Sequence, residues 1–372
     1  MKRILIAAGA RPNFVKVAPL IWELRQLGSV ELVFVHTGQH YDFEMSEAFL
    51  RDLEIPQPDH FLGVGSGSHA EQTARVMLAF EPIVLGSKPD CIVVVGDVNS
   101  TLACAITAAK LRVPIAHVEA GLRSFDRTMP EEINRVVTDS VSDYLFTPSE
   151  DGRTNLLREG AAENKIHFVG NIMIDTLQKY EKRARSIHEC TRQSLTARSY
   201  ALLTLHRPHN VDDPAALSRI MEALERVQRS LRLLFPVHPR TRARLNEWRV
   251  TEMLSEMRNV RLCEPLGYLR FVSLLCDAKL VLTDSGGIQE EATALGVPCL
   301  TLRENTERPV TVTHGTNTLV GTDPVRIEAA VQVVLQARVR PFRMPPLWDG
   351  RTAARIADVL VNPDGCNGTA PV

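Results

Sequence analysis

Short apolar, β-branched runs alternate with helical patterns along most of this chain, and that alternation constrains the fold more than any other feature. A clear case is the run Cys91 to Val95, which ends in a glycine turn and precedes a helical pattern from Leu102 to Leu111. Runs of this kind are typical of parallel strands, which helices cover on both faces. The alternation therefore predicts an α/β protein built on doubly wound parallel sheets.

The alternation falls into two series separated by a polar, charged segment with a helical pattern, Asp175 to Arg198. The first series opens with a strand from Ile4 to Ala8, and the second opens with a strand from Tyr200 to Thr204. We therefore predict two Rossmann-like domains facing a cleft, with the polar segment as the bridge between them. The predicted bounds are residues 1–170 for the N-terminal domain and residues 171–350 for the C-terminal domain.

The C-terminal end of the chain is expected to divide into a helix and a tail. A last helical pattern, residues 351–361, is predicted to pack back on the first domain. Residues 362–372 are rich in Gly, Pro and Asn, a composition typical of a flexible terminus.

Composition excludes several classes of protein. Lys plus Arg number 43 and Asp plus Glu 44, for a net charge of −1, so no global basic field favours nucleic acid. No apolar run approaches the roughly 18 residues that a membrane helix needs. The 7 cysteines are scattered without a Cys-x-x-Cys pair, a pattern typical of reduced core residues. We therefore expect a cytoplasmic protein without nucleic-acid or membrane partners.

Three carboxylates occupy positions that are typical of catalytic residues. Asp97 and Glu119 each follow a predicted strand, and Glu131 follows Pro130 at the start of a helical pattern. Ligands of open α/β sheets bind at the carboxyl ends of the strands, so these acids are candidate catalytic residues. Acids this close together need a nearby cation or a shared proton. The alternative is that Asp97 only caps a helix and Glu119 only forms a structural salt bridge.

Two glycine turns, each between a strand and a helix, are candidate anion sites. The first, at Gly9, is accompanied by Arg11 and Lys16, and the second is Ser285-Gly286-Gly287. Such turns present backbone N–H groups at the positive end of a helix dipole. The alternative is that both are only tight turns. The first turn lacks Gly-x-Gly-x-x-Gly, so no dinucleotide cofactor is expected.

His36 and His40 are four residues apart, on a strand-to-loop junction rather than a helix. We interpret them as hydrogen-bonding histidines, and we predict no metal site.

Six ordered motifs carry a resemblance to a known family, and the match covers the chain from residue 4 to about residue 360. They begin at Gly9, His36, Gly96, His117, Pro130 and Thr283, and they read GARP, HTGQHYD, GDVNST, HVEAGLR, PEEINR and TDSGGIQEE. In these motifs the chain resembles the non-hydrolysing UDP-N-acetylglucosamine 2-epimerases. The resemblance implies a glycosyltransferase-B architecture, with UDP in the cleft between the domains. It also implies interconversion of UDP-N-acetylglucosamine and UDP-N-acetylmannosamine by a homodimer, without metal or nicotinamide.

The resemblance also assigns roles by position. It implies that proton transfer and sugar handling involve Asp97, Glu119, Glu131 and His206. It implies diphosphate contacts by Arg11, Lys16, Ser285, Gly286, Gly287 and Arg308. Glu291 would bind the ribose, and Phe271 would lie beside the uracil.

The chain departs from the family pattern at two places. Members activated by their own substrate carry a basic residue where this chain has Tyr41-Asp42, and His206-Arg-Pro-His209 also differs from their motif. We therefore expect little or no substrate activation. This form also resembles relatives that act on UDP-2,3-diacetamido-2,3-dideoxyglucuronic acid. A hydrolysing epimerase, a glycosyltransferase of the same architecture and a non-catalytic nucleotide-sugar sensor remain alternatives.

Overall fold

The computed structural model describes residues 1–38, 50–248, 250–337 and 341–362, without the side chains of Arg11 and Arg240. Two compact units share the chain. The first comprises Met1–Thr176 and Pro346–Val372, and the second comprises Leu177–Pro345.

The first unit contains a parallel sheet to which the described residues contribute seven strands. Their order is β3-β2-β1-β4-β5-β6-β7, and every neighbouring pair is parallel. The strands are β1 Lys2–Ala8, β2 Val30–His36, β3 His60–Phe61, β4 Cys91–Val95, β5 Ile115–Val118, β6 Tyr144–Thr147 and β7 Ile166–Phe168.

Helices follow most strands of the first unit. They are α1 Arg11–Gln26, α2 His69–Ser87, α3 Asn99–Lys110, α4 Pro130–Val141 and α5 Glu150–Arg158. The next helix, α6 Ile172–Arg185, begins in the first unit and ends in the second. Buried residues such as Leu5, Ile92 and Val94 of the sheet pack with Val76 and Phe80 of α2. These helices are held mainly by the apolar surface that they bury against the sheet.

The second unit contains a parallel sheet to which the described residues contribute six strands, in the order β10-β9-β8-β11-β12-β13. The strands are β8 Tyr200–Thr204, β9 Arg232–Pro236, β10 Val260–Cys263, β11 Leu280–Thr283, β12 Cys299–Thr301 and β13 Asn317–Leu319. The helices are α7 Glu189–Arg192, α8 Pro208–Val211, α9 Pro214–Val227, α10 Pro239–Glu247, α11 Val250–Glu256, α12 Tyr268–Asp277, α13 Gly286–Ala294, α14 Val310–Thr313 and α15 Pro324–Leu335.

Both faces of the second sheet are covered. Successive residues of β8 point to opposite faces, as the twofold period of a strand requires. Leu203 therefore joins one buried cluster, whereas Leu202 joins another. The two parallel sheets with helices between their strands confirm the prediction of two doubly wound, Rossmann-like units.

The last helix, α16 Thr352–Val361, contacts α1 of the first unit. The buried carboxylate of Asp175 accepts hydrogen bonds from the backbone N–H groups of Thr352 and Ala353, at 3.2 and 2.7 Å. Because these are first-turn donors of α16, Asp175 acts as an N-terminal cap from elsewhere in the chain.

The predicted helical segment from Asp175 to Arg198 is wrong in its bounds. Helix α6 begins at Ile172 and ends at Arg185, and the short helix α7 follows. His188, at the N-cap of α7, adopts a left-handed backbone with φ of 52°, which a continuous α-helix cannot contain.

Several elements were missing from the sequence prediction. The strands His60–Phe61 and Asn317–Leu319 are only two and three residues long, too short for a periodic pattern. Helix α15 did carry a signal, because Ile327, Val331 and Val334 recur at helical spacing.

Among helices of the described residues, none has both the length and the apolar character to cross a membrane.

Candidate active site

Two of the predicted acids follow neighbouring strands of the first sheet. Strands β4 and β5 are paired in parallel, with Val95 opposite Val118. Asp97 lies two residues beyond β4, and Glu119 follows β5 directly. The structure therefore confirms that both acids lie at the carboxyl edge of adjacent strands.

Glu119 forms a buried ion pair with Lys16 of α1. The Nζ of Lys16 lies 2.5 Å from Oε2 of Glu119, and both side chains are buried. Glu119 has a left-handed backbone, with φ of 72°. A Cβ added to Gly96 would lie 3.1 Å from Lys16 Nζ, so the turn after β4 also packs against this pair. Glu119 thus forms the salt bridge that the alternative interpretation expected, with a partner, Lys16, that the sequence did not identify.

Asp97 forms an ion pair with Arg135 of α4. The Nη1 of Arg135 donates to Oδ2 of Asp97 at 2.5 Å, and the arginine side chain is almost completely buried. The N-cap of α3 is Val98, so Asp97 is not the N-cap residue that the alternative interpretation proposed. Arg135 carries a permanent charge and therefore favours the ionised form of Asp97.

Glu131 lies in the first turn of α4, and Pro130 is the first helical residue as predicted. Because residues four apart share a helix face, Glu131 lies on the same side of α4 as Arg135. The next acid, Glu132, is buried and accepts from the backbone N–H groups of Ser124 and Phe125 at 3.0 and 2.9 Å. Burial opposes ionisation of Glu132, but these hydrogen bonds and Arg135 lower its pKa.

A buried network lies behind the two acid-bearing turns. His117 of β5 places Nδ1 at 2.6 Å from Oδ1 of Asp139 and Nε2 at 2.9 Å from the carbonyl oxygen of Gly96. The other oxygen of Asp139 accepts from the N–H of Gly121 and faces Arg123. Burial opposes ionisation of Asp139, but His117 and Arg123 lower its pKa.

The turn that opens α1 is tied to β4 by Asn13. Its Oδ1 accepts from the N–H of Ala10 at 3.0 Å, and its Nδ2 donates to the carbonyl of Val95 at 2.9 Å. The predicted anion contact through Arg11 lies outside the described residues, because only the backbone of Arg11 is described.

His36, the last residue of β2, accepts from the N–H of Gly38, and burial lowers its pKa to about 4. The predictions for His40 and for Tyr41-Asp42 lie outside the described residues.

The second predicted anion site lies at the start of α13. Ser285 is the N-cap of this helix, and its N–H donates to Oγ1 of Thr283 at 3.0 Å. A Cβ added to Gly286 would lie 2.4 Å from Nη1 of Arg308 and 2.7 Å from Oε1 of Glu307. Only glycine, which has no Cβ, permits the guanidinium to come this close to the helix N-terminus. Gly287 is the next residue of the same turn.

Arg308 belongs to a buried arginine cluster. Its Nε lies 2.9 Å from Glu290 and its Nη1 lies 2.6 Å from Glu307. Glu307 also faces Arg303 at 2.8 Å and Arg207 at 3.5 Å. These carboxylates hold the guanidinium groups in fixed positions, as an anion site that binds without rearrangement requires.

His206 is held by Asp284, which follows β11. Its Nδ1 lies 3.1 Å from Oδ1 of Asp284. The fully buried carboxylate also accepts from the backbone N–H of Arg207 and from Nδ2 of Asn210. Burial alone would raise the pKa of Asp284, but His206 and the backbone N–H groups of His206 and Arg207 hold it at about 2. A histidine fixed through one nitrogen can present the other to a ligand.

Glu291 and Phe271 lie on two helices of the same unit. Burial raises the pKa of Glu291 to about 7, the Tyr268 hydroxyl opposes that rise, and the charge of Glu290 adds to it. Phe271 of α12 is half-buried and packs on the second sheet's core.

Sequence reasoning missed the partners that fix the predicted residues. Arg135 and Asp284 both lie inside quoted motifs, and their position there was the available signal. A single sequence gives no signal for the contacts of His117 with Asp139 and of Arg303 with Glu307. Among the described residues, no group of three or more His, Cys, Asp or Glu side chains could hold a metal ion.

The family model described as UDP-N-acetylglucosamine 2-epimerase matches residues 22–361. A UDP-N-acetylglucosamine 2-epimerase of Methanocaldococcus jannaschii is 43% identical over 363 residues, covering 96% of this chain and 98% of the relative. A UDP-2,3-diacetamido-2,3-dideoxy-D-glucuronate 2-epimerase of Pseudomonas aeruginosa is 44% identical over 361 residues, covering 96% of this chain and 99% of the relative.

Solved structures of UDP-GlcNAc 2-epimerases are also similar to this chain. The M. jannaschii UDP-GlcNAc 2-epimerase in complex with UDP-GlcNAc and UDP superposes with a TM-score of 0.91 at 43% identity, covering 97% of this chain and 99% of that one. The Neisseria meningitidis UDP-GlcNAc 2-epimerase bound to UDP-GlcNAc gives a TM-score of 0.88 at 31% identity, covering 97% and 100%. These likenesses confirm the predicted fold class.

Proposed function

Because this chain belongs to the UDP-N-acetylglucosamine 2-epimerase family, we propose that it interconverts UDP-N-acetylglucosamine and UDP-N-acetylmannosamine. The observation that carries the proposal is the pair of carboxylates at adjacent strand ends, each ion-paired with a cation. Epimerisation at C2 needs groups that remove and return one proton, and positioned carboxylates can do both.

The proposed reaction is an elimination followed by the reverse addition. A carboxylate takes the C2 proton, the C1–O bond breaks, and its electron pair leaves with UDP. The intermediate is 2-acetamidoglucal, and addition of UDP with a proton to the other face of C2 gives the epimer. No electrons are transferred to another molecule, so the chemistry needs no nicotinamide.

We assign the proton-transfer steps to the first unit. Asp97 and Glu119 are ion-paired with Arg135 and Lys16, so both carboxylates are held in fixed positions at the strand ends. Glu131, on the same face of α4 as Arg135, is the third acid of the proposed set.

We assign nucleotide binding to the second unit. The leaving diphosphate would meet the N-terminus of α13 at Ser285-Gly286-Gly287 and the guanidinium of Arg308, which stabilise developing negative charge. Glu291 would accept from the ribose hydroxyls, and Phe271 would lie beside the uracil. His206 would face the sugar or the diphosphate, with Lys16 and Arg11 as further candidate contacts.

The test is incubation with UDP-N-acetylglucosamine alone, followed by proton NMR. The proposal expects a mixture of the two UDP-sugars, reached from either epimer. Free N-acetylmannosamine with UDP would indicate a hydrolysing epimerase. Absence of turnover until an acceptor is added would indicate a glycosyltransferase.

A second substrate is favoured by one observation. The P. aeruginosa relative is 44% identical and the M. jannaschii relative 43%, so overall identity does not separate the two sugar classes. The same NMR assay with the 3-acetamido uronate UDP-sugar compares the two directly. The larger kcat/KM identifies the preferred sugar.

We also propose that the protein is a cytoplasmic homodimer. The cysteines within the described residues are free, and most are buried, as in reduced intracellular proteins. Light scattering should give twice the chain mass of 41.4 kDa. Cell fractionation should recover the activity without membranes.

A further inference from the structure

A buried histidine–carboxylate pair joins the two turns that carry Asp97 and Glu119. We propose that His117 and Asp139 form a positioning clamp, and that this clamp holds both carboxylates in register for the transfer of the C2 proton. The inference rests on the proposed epimerase function and adds residues that do not touch the substrate.

The first contact of the clamp fixes the turn after β4. His117 is completely buried, and its Nε2 lies 2.9 Å from the carbonyl oxygen of Gly96. Gly96 directly precedes Asp97 and has a φ of 71°. A hydrogen bond to this carbonyl therefore sets the direction in which the chain enters Asp97.

The second contact fixes the turn after β5. Nδ1 of His117 lies 2.6 Å from Oδ1 of Asp139, and Oδ2 of Asp139 accepts from the N–H of Gly121 at 3.0 Å. Gly121 lies two residues beyond Glu119. The His117–Asp139 pair therefore contacts the backbone of Gly96, just before Asp97, and the backbone of Gly121, just after Glu119.

Both ring nitrogens of His117 are engaged in this arrangement. The carbonyl of Gly96 can only accept, so Nε2 donates to it, and Nδ1 faces the carboxylate of Asp139. That carboxylate is itself paired, because Asp139 meets Arg123 at 2.7 Å and Arg123 meets Glu159 at 2.6 Å. Buried charges are tolerated when they are paired and hydrogen-bonded in this way.

The turns need such a clamp because their backbones are unusual. Glu119 has a φ of 72°, and Gly121 has a φ of 79°. A left-handed backbone costs a residue other than glycine on the order of 1–2 kcal/mol, so contacts elsewhere must hold Glu119 in place. A displacement of about 1 Å at a reacting group can reduce catalysis roughly 100-fold.

The test replaces His117 by glutamine, which can make at most one of the two contacts. We expect kcat to fall about 100-fold, with the KM for UDP-N-acetylglucosamine within about threefold of wild type. We also expect more 2-acetamidoglucal to escape for each epimer formed, because a misplaced acid returns the proton slowly. That ratio should rise about tenfold, since release then competes with slowed reprotonation.

The ratio separates positioning from folding. A variant that is only partly folded loses epimer and glucal formation in the same proportion, so its ratio stays at the wild-type value. The matched control is His167→Gln on β7, a half-buried ring that packs beside Phe146 and Tyr144. This control should leave kcat and the ratio unchanged.

If His117→Gln does not fold, Asp139→Asn takes its place, because the amide keeps the shape and loses the charge. An unchanged ratio in the folded variant overturns the clamp. A wild-type protein that forms neither epimer nor glucal overturns the proposed function instead, so the two failures are distinguishable.

Discussion

The two units treat their buried charges differently. In the first unit two candidate catalytic acids are ion-paired with different cations, Glu119 with Lys16 and Asp97 with Arg135. In the second unit Arg207, Arg303 and Arg308 converge on a single carboxylate, Glu307. The separate ion pairs of the first unit are suited to carboxylates that transfer a proton. The arginines held around Glu307 are suited to binding an anion at fixed positions.

The largest expected effect is on the first unit. Glu119→Gln keeps the shape of the side chain but cannot accept the proton, so kcat should fall about 1,000-fold. UDP affinity measured by calorimetry should stay within about threefold, because the proposed nucleotide site is in the other unit. The control Glu163→Gln alters a glutamate ion-paired with Arg153 at the surface and should leave kcat unchanged. A tenfold loss of UDP affinity in Glu119→Gln would contradict this division of labour.

The next effect concerns a buried acid of the second unit. Burial raises the pKa of Glu291 from 4.5 to about 7, so the folded state binds the extra proton between these values. Stability should therefore fall as pH rises from about 4.5 to 7, by about 3 kcal/mol. The measurement is denaturant unfolding of wild type and Glu291→Gln across this range. Parallel curves for the two proteins would show that Glu291 is not responsible.

Asp284 should show the opposite slope, with a smaller size. Its pKa is lowered from 3.8 to about 2, because His206 and backbone donors outweigh its burial. Its contribution of about 2 kcal/mol should be complete above pH 4 and lost as pH falls through 2. Asp284→Asn should remove that part of the acid destabilisation in the same unfolding experiment. If the variant loses as much stability at low pH as the wild type does, Asp284 is not the cause of that loss.

The smallest effect tests the fit around Arg308. Gly286→Ala places a methyl group 2.4 Å from Nη1 of Arg308, so the guanidinium must shift. UDP affinity should fall about tenfold, equivalent to about 1.4 kcal/mol. Gly86→Ala is the matched control, since a Cβ there meets nothing within 4 Å. Equal UDP affinities in the two variants would remove this turn from the nucleotide site.

The sequence predicted the parts of the fold that depend on local periodicity. The strand at Cys91 to Val95 and the helix start at Pro130 are both as expected, because their patterns are complete within a few residues. Strand adjacency also followed, since successive strands of an α/β sheet are commonly neighbours. Helix α15 was missed although its pattern was present.

The candidate site was predictable only in part, because its partners are distant in sequence. Glu119 and Lys16 are 103 residues apart, and His206 and Asp284 are 78 apart. Nothing local in a single sequence specifies which cation meets which acid. The left-handed backbone of Glu119 was likewise unpredictable, because tertiary contacts impose it.

The most direct test of the account is epimerisation in D2O without added cofactor. A carboxylic acid exchanges its proton quickly with water, so the proton returned to C2 should be a deuteron. NMR of UDP-N-acetylmannosamine formed from UDP-N-acetylglucosamine should show deuterium at C2, and only there on the sugar ring. Product that keeps protium fully at C2 would contradict proton transfer through solvent-exchanging acids and, with it, the roles given to Asp97 and Glu119.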